Sequence, residues 1–183
     1  QRADDALSQN RSIYGEIIGS SVNHTGNSHS ITAPKIERQC DVIMGALDNA
    51  GISPEKLTYL EAHGTGTSLG DPIEVEALRK AFSHYTDRLQ FCGLGSVKAN
   101  IGHLEAAAGL AGLIKVLMMF RYRMIPPSIN ISETNPIINF EETPFVIYDS
   151  PAPIRENGEI YAGISSFGFS GSNAHIIVKS SSQ

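Results

Sequence analysis

Residues 57 to 67 read LTYLEAHGTGT, and this stretch decides the fold. The segment Leu57 to Ala62 is short and mostly apolar, which predicts a buried strand. The polar, glycine-rich segment His63-Gly64-Thr65-Gly66-Thr67 follows it directly. Glycines let the backbone approach a ligand closely, and the ends of buried strands are where α/β proteins gather ligand-binding groups. The loop after this strand is therefore a first candidate site.

The same arrangement occurs twice more along the chain. A strand predicted at Leu89 to Val97 is followed by KANIGH, from Lys98 to His103. Strands predicted at Ile160 to Ser165 and Ala174 to Lys179 flank the glycine-rich segment SFGFSGSN. Because each polar loop follows a predicted strand, we expect the three loops to converge at one edge of a sheet.

Helices are predicted between these strands. Apolar positions recur at helical spacing from Ile36 until Gly51 ends the pattern. In the next helix, predicted to run to about Phe82, Asp71 is expected to be the N-cap and Glu74 the third helical residue, a start that resembles a capping box. Asp71 is therefore interpreted as a helix cap rather than a catalytic acid.

The most apolar segment of the chain runs from Ala106 to Phe120 and is interrupted by Lys115. It is shorter than the roughly 20 apolar residues that span a membrane, so a fully buried helix is expected. Further strands are predicted at Ile13 to Val22 and, as an edge strand, at Phe145 to Tyr148. Strands that alternate with helices and end in a hairpin predict a layered α/β fold, in which residues 1–183 form one unit.

Composition narrows the class of protein. The chain has 183 residues, of which 41% are hydrophobic and 18% charged, with a net charge of -5. These values are typical of one globular domain, and no run of basic residues favours a nucleic-acid or membrane surface. The N-terminus lacks the features of a signal peptide and does not begin with Met, so a cytoplasmic, processed or excised chain is expected.

The two cysteines, Cys40 and Cys92, have no CxxC or Cys/His ligand spacing, so neither a disulfide framework nor a zinc site is indicated. Cys40 falls on the apolar stripe of its helix and is interpreted as a structural residue. A zinc site built from His63, His103 and His175 also lacks ligand spacing. No metal is expected.

Each glycine-rich loop is a weak signal by itself. HGTGT does not match the phosphate-binding GxxxxGK[ST] pattern, and FGFSGSN lacks the spacing of a dinucleotide site. A lone histidine in such a loop is more often structural than catalytic. The four histidines outside the first two loops are expected to be loop or packing residues: His24, His29, His84 and His175.

The segments taken together, in order and spacing, resemble the C-terminal half of a β-ketoacyl synthase (ketosynthase) domain of the thiolase-like superfamily. The resemblance rests on HGTGTSLGDPIEVEAL, GSVKANIGHLEAAAGLAGLIKVL and SSFGFSGSNAHIIV, and extends to IYGEIIGSSVNHTGNSHSITAP and IPPSINISETNPIINFEETPFVI. It covers nearly the whole chain. The detail is most similar to bacterial modular type I polyketide synthases, and the middle segment to their trans-acyltransferase class. The resemblance implies the C-terminal half of a layered α-β-α-β-α fold.

The resemblance also implies a reaction, the decarboxylative Claisen condensation of an acyl thioester with malonyl-acyl carrier protein in polyketide chain elongation. His63 and His103 match the two family histidines that hydrogen-bond the malonyl thioester carbonyl and stabilise the enolate. Lys98 matches a lysine that orients or electrostatically tunes His103. A glutamate partner of this lysine in stand-alone relatives aligns near Gly112, which cannot serve, so Glu105 is the expected substitute.

Substrate contacts follow from the same resemblance. Thr65 and Thr67 match threonines that hydrogen-bond the pantetheine arm. Phe169 matches a residue whose backbone N–H contributes to the oxyanion hole and whose ring gates the acyl pocket. Ser170 and Ser172 stand where many relatives have Gly and Thr. No cofactor is expected to bind directly, since the substrates are carried on the phosphopantetheine arm of an acyl carrier protein.

The family's nucleophilic cysteine lies in a motif resembling DTACSS, which this sequence does not contain, and Cys92 does not match it. The expected partners are therefore the N-terminal half of the ketosynthase, an acyl carrier protein and a second copy of the complete domain. Two alternatives are a non-catalytic module that docks a carrier protein or partner, and an isolated, poorly stable fragment. Half of the fold would expose a large apolar face, which the helix from Leu104 to Phe120 would supply.

Overall fold

The computed structural model describes residues 1–26, 34–155 and 157–181. Its α-helices are α1 (Ala3–Ser8), α2 (Ile36–Ala50), α3 (Gly70–Ser83), α4 (Lys98–Ile101) and α5 (Ala108–Tyr122). Its strands are β1 (Gly15–His24), β2 (Leu57–Glu61), β3 (Cys92–Gly95), β4 (Met124–Ile125), β5 (Phe145–Val146), β6 (Ala152–Pro153), β7 (Tyr161–Phe167) and β8 (Ser172–Ser180). Short 3₁₀ turns lie at Pro54–Lys56, Glu105–Ala107 and Phe140–Glu142.

Six strands form one mixed sheet in the order β1-β8-β7-β2-β3-β5. Strands β7, β2, β3 and β5 run parallel to one another, while β8 is antiparallel to both β7 and β1. The predicted strands and the closing β7–β8 hairpin are confirmed. The edge strand is also confirmed, although it is shorter than predicted and its first residue, Phe145, is fully buried.

Helices cover both faces of the sheet. On one face α2 and α3 enclose a core that includes Ile43, Leu78 and Phe82. On the other face α5 contributes Val116 and Phe120 to a second core. Two layers of helices around one sheet are the half of the layered thiolase-like fold that the sequence predicts.

The helix α2 agrees closely with its sequence pattern. It ends where predicted, at Gly51, whose φ of 66° is the left-handed conformation that glycine adopts without steric cost. Cys40 lies on its buried side, and burial raises the pKa of this thiol. Burial likewise raises the pKa of Cys92, at the start of β3. Both cysteines are structural in this chain.

The predicted start of α3 is wrong in detail. Asp71 does not cap the helix; instead its carboxylate accepts a hydrogen bond from the backbone N–H of Gly66 (3.1 Å). The hydroxyl of Thr67 accepts the N–H of Gly70 (3.0 Å), the first helical residue, and so satisfies a donor at the helix start. Glu74 also has a different role from the one a capping box gives it, since its carboxylate bonds to the loop that precedes the helix.

The expectation of a fully buried apolar helix is also wrong for this chain. One side of α5 packs on the sheet, but Leu110 and Ile114 are 64% and 59% exposed. Residues four apart lie on the same face of a helix, so these side chains form one apolar stripe. Leu104 and Ile101, just before the helix, are exposed as well. The exposed stripe agrees with the expectation that half of a thiolase-like fold leaves an apolar face uncovered.

The fold brings the three polar loops together. Because β2, β3 and β7 are parallel neighbours, their carboxyl ends lie at the same edge of the sheet. The segments that follow these ends are the HGTGT loop, the KANIGH segment and the loop between β7 and β8. The predicted convergence is therefore confirmed.

Candidate active site

Five of the six predicted site residues line one cavity of about 450 Å³. They are His63, His103, Thr65, Thr67 and Phe169. The sixth residue, Lys98, lines an adjacent cavity of about 470 Å³. The two cavities share Thr65, Thr67 and Glu74, so Lys98 lies beside the histidine cavity rather than within it.

The backbone at His63 is fixed by a buried carboxylate. Glu74, only 4% exposed, accepts the N–H of His63 at 2.7 Å and that of Gly64 at 2.8 Å. Burial raises the pKa of Glu74 to about 7, while the two backbone bonds act to lower it. Gly64 has a φ of 44°, so the chain turns sharply here, directly after the imidazole is delivered by β2. The sequence pattern predicts Glu74 only as part of a helix start, so this role was not predicted.

The imidazole of His63 is held as a neutral ring with a defined tautomer. The backbone N–H of Phe167, the last residue of β7, donates to its Nδ1 at 3.3 Å. Because Nδ1 accepts, Nε2 carries the hydrogen in the neutral ring. Burial, followed by the positive charge of Lys98 and the neighbouring His103, lowers the pKa of His63 to about 4. His63 is therefore uncharged at neutral pH and offers Nε2–H as a donor.

His103 is oriented in the same way by its own backbone. The N–H of Glu105 donates to its Nδ1 at 2.9 Å, which again leaves Nε2 as the protonated nitrogen of a neutral ring. This bond depends on an unusual local path, because Gly102 has a φ of 74° and Glu105 a φ of 48°. A positive φ at a non-glycine residue is uncommon and costs free energy. The turn therefore maintains a strained backbone that orients the ring.

The two imidazoles face one another at close range. Their ring centroids are 5.5 Å apart and their planes cross at 84°. Each ring uses Nδ1 as the acceptor of a backbone N–H, so each presents its Nε2–H as a donor. Two such donors can hydrogen-bond one oxygen atom on which negative charge develops. The pair is thus suited to stabilise an oxyanion or enolate.

Lys98 is the first residue of α4, next to the histidine pair. Burial lowers its pKa, while the carboxylates of Glu61 and Glu74 act to raise it and the ammonium of Lys115 acts to lower it. Glu105 does not act on Lys98, and its own side chain is exposed. The expectation that Glu105 is the lysine's carboxylate partner is therefore wrong. Glu105 instead contributes its backbone N–H to His103.

The loop with Phe169 connects β7 to β8 in a tight turn. The N–H of Gly168 donates to the carbonyl of Ser172 at 2.6 Å, and that of Gly171 donates to Gly168 at 2.9 Å. Phe169 projects from this turn with 83% of its surface exposed, and it lines the histidine cavity. This turn links the end of β7 directly to the cavity.

The other histidines are loop and packing residues where the structure describes them. His24 bonds the carbonyl of Ser170 (3.0 Å), and His84 bonds the carbonyl of Lys80 (2.8 Å). His175 is fully buried and bonds the hydroxyl of Ser165 (3.0 Å). His29 lies outside the described residues.

Within the described ranges, 1–26, 34–155 and 157–181, no group of three or more His, Cys, Asp or Glu side chains is arranged to hold a metal ion. Within the same ranges, no helix is both long enough and apolar enough to span a membrane.

Comparison with known proteins identifies the family of this chain. The family profile described as "Beta-ketoacyl synthase, C-terminal domain" matches residues 14–132, which is more than half of the chain. This chain belongs to the β-ketoacyl synthase family. The family resemblance inferred from the sequence is thereby confirmed.

Relatives of this ketosynthase chain are polyketide synthases. It is 49% identical to polyketide synthase PksL of Bacillus subtilis over 91% of its length, and 45% identical to polyketide synthase ThaG of Burkholderia thailandensis over 95%. These matches span only 4% and 3% of the two relatives. The chain is therefore similar to a small part of each.

Solved ketosynthases have the same fold. The ketosynthase from module 6 of the Bacillus subtilis bacillaene synthase is 42% identical, with a TM-score of 0.96. An oxazolomycin ketosynthase domain from Streptomyces albus is 38% identical, also with a TM-score of 0.96. Each match covers all of this chain but only 33% and 34% of the solved chains. The thiolase-like fold of this C-terminal part is thereby confirmed.

Proposed function

We propose that this chain supplies the histidine pair of a polyketide ketosynthase that catalyses decarboxylative condensation. The observation that carries the proposal is the matched orientation of His63 and His103, in which each Nδ1 accepts a backbone N–H and each Nε2–H is a donor. A neutral His63, with a pKa of about 4, is the form that such donation requires.

In the proposed reaction the malonyl thioester loses carbon dioxide. The bond between the α-carbon and the carboxylate breaks, and its electron pair forms the enolate of the thioester. The two Nε2–H groups hydrogen-bond the enolate oxygen. The α-carbon then attacks the acyl thioester on a cysteine, which departs as the thiolate. Removing one such donor typically costs about 10²-fold to 10³-fold in rate.

The proposed substrates and partners are those of a polyketide ketosynthase. The cysteine would come from the N-terminal part of the ketosynthase, and the complete domain would form a dimer. The substrates would arrive on the phosphopantetheine arm of an acyl carrier protein, beside Thr65 and Thr67, with Phe169 gating the acyl pocket. The position of the two threonines between the two cavities supports this arrangement. The bacillaene relatives favour the trans-acyltransferase class, and a reducing cytoplasm would suit a reactive thiol.

The test uses the complete ketosynthase that contains this segment. Wild-type enzyme should release carbon dioxide from malonyl-acyl carrier protein, and His63→Ala or His103→Ala should lose about 10²-fold or more of that rate while the cysteine is still acylated. His84→Ala, on the outer end of α3, is the matched control and should retain the full rate. Equal carbon dioxide release by all four proteins would contradict the proposal.

A non-catalytic docking module is the second candidate, favoured by the exposed stripe of Leu110 and Ile114. It predicts that the intact protein binds an acyl carrier protein yet neither accepts an acyl group nor decarboxylates malonyl substrate. The same assay therefore separates the two functions.

A further inference from the structure

A buried ion pair joins the end of β2, just before His63, to the helix α5. Glu61, the last residue of β2, is 2% exposed, and its carboxylate accepts from Lys115 Nζ at 2.8 Å. The hydroxyl of Tyr59 donates to the same carboxylate oxygen at 3.2 Å and accepts from Lys115 at 2.6 Å. The other oxygen accepts the backbone N–H of Val97 at 2.5 Å. Both oxygens of the carboxylate are thus occupied.

The helix α5 contributes both the cation of this pair and the space for its carboxylate. Lys115 is the only charged residue from Ala108 to Phe120 of the otherwise apolar α5. Gly112, one turn earlier, makes room for the carboxylate, because a Cβ at this position would lie 2.9 Å from Glu61 Cγ. A buried ion pair is seldom more stabilising than well-packed apolar residues. Global stability is therefore a poor explanation for this pair.

The pair joins the three segments that form the site. Glu61 is two residues before His63 on β2, and Val97 immediately precedes Lys98. Lys115 lies on α5, the helix that follows the turn with His103. One carboxylate therefore connects the elements that present all three residues of the proposed mechanism.

We propose that Glu61 is a positioning residue of the ketosynthase, which fixes the Lys98 segment against His63 and provides the negative charge that Lys98 faces. The inference rests on the proposed function and deepens it. The ammonium of Lys115, 2.8 Å from the carboxylate of Glu61, compensates its charge inside the protein. In stand-alone relatives the carboxylate partner of the lysine aligns near Gly112, which has no side chain here, and Glu105 does not replace it. Glu61 takes the place of that partner.

Electrostatics around Lys98 support this role. The charged groups that act on it come from three elements: Glu61 on β2, Glu74 on α3 and Lys115 on α5. Burial is the first cause that lowers the pKa of Lys98, and Glu61 is the first of the groups that raise it. Loss of the Glu61 charge should lower that pKa further, whereas loss of the Lys115 charge should raise it.

The experiment measures the pH profile of carbon dioxide release by the complete ketosynthase, with malonyl-acyl carrier protein as substrate. Glu61→Gln keeps an acceptor for the N–H of Val97 but removes the charge. We expect kcat to fall at least about 10-fold, and the alkaline limb of the profile to move to lower pH. Lys115→Met should move the alkaline limb to higher pH. Opposite shifts are a result that simple destabilisation does not produce.

Two controls keep the test decisive. The double variant Glu61→Gln/Lys115→Met buries no unpaired charge and should fold even if a single variant does not, with kcat still reduced. Glu159→Gln removes the carboxylate of a surface ion pair with Lys179, and should leave both rate and profile unchanged. A folded double variant with wild-type rate and profile would overturn the inference. Failure of the wild-type enzyme to decarboxylate would instead overturn the proposed function.

Discussion

Glu74 provides the sharpest test of the electrostatics of this site. Its carboxylate is buried, has a pKa of about 7 against an ordinary value of 4.5, and anchors the backbone of His63 and Gly64. A carboxylate whose folded-state pKa is raised contributes stability that is fully present below pH 4.5 and is lost as the pH rises through about 7. The replacement Glu74→Gln removes this titration while it keeps the size of the side chain.

The size of the effect follows from the two pKa values. One unit of pKa corresponds to about 1.4 kcal/mol, so the whole difference corresponds to about 3 kcal/mol. Between pH 5 and pH 8 about 2.5 kcal/mol of this contribution should be lost, because part of the titration lies below pH 5. The amide also has only one acceptor for two N–H groups, which adds a destabilisation of about 1–3 kcal/mol that does not depend on pH.

The assay is urea unfolding of the complete ketosynthase at fixed protein concentration, at pH 5 and at pH 8. The wild-type free energy of unfolding minus that of Glu74→Gln should be smaller at pH 8 than at pH 5 by about 2.5 kcal/mol. Glu76→Gln, two residues further along α3, is the control, since the bond from Arg79 lowers the pKa of this carboxyl and reverses the sign. A wild-type-to-variant difference that is equal at both pH values, or larger at pH 8, would refute the reasoning.

Three other perturbations have clear expected outcomes. Lys98→Met should raise the pKa of His63 above its value of about 4 in an NMR titration, because the lysine charge is the second cause of the lowering, after burial. An unchanged pKa would contradict the proximity of the two groups. Gly19→Ala should destabilise the protein by about 1–3 kcal/mol in thermal unfolding, since its Cβ would lie 2.5 Å from the carbonyl oxygen of Ala46. A wild-type melting temperature would show that β1 and α2 can separate. Leu110→Asp should prevent this segment from copurifying with the N-terminal part of the ketosynthase, because the Leu110 side chain is 64% exposed on the apolar stripe. Normal copurification would mean that another surface forms the contact.

Much of the fold could be predicted from local patterns. Strand β8 and helix α2 agree with their predictions because their burial largely follows the period of the element itself. Strand β2 agrees because its short, mostly apolar run is buried almost throughout. The start of α3 could not be predicted in this way, since Asp71 and Thr67 can each cap a helix and the choice depends on where the HGTGT loop lies. The exposure of α5 was mispredicted because apolar composition does not reveal which neighbour covers a helix.

The candidate site was likewise predicted only in part. His63, His103, Thr65, Thr67 and Phe169 were identified by the resemblance of their motifs, and the structure brings them to one cavity. Glu61 and Glu74 were missed as site residues. Their carboxylates lie near the histidines and Lys98 only because β2, β3 and the helix α3 between them pack together.

The sequence by itself determined the order of strands and helices, because local periodicity predicts each element. It also determined the family and the identity of the residues that face the cavity, because these depend on contiguous motifs. The tertiary structure alone decided the chemical state of those residues. The backbone N–H of Phe167, from a strand far along the chain, sets the tautomer of His63, and burial with the charge of Lys98 keeps that ring neutral. Tautomer and pKa depend on distances and on exclusion of water, which come into existence only when separate segments pack against one another.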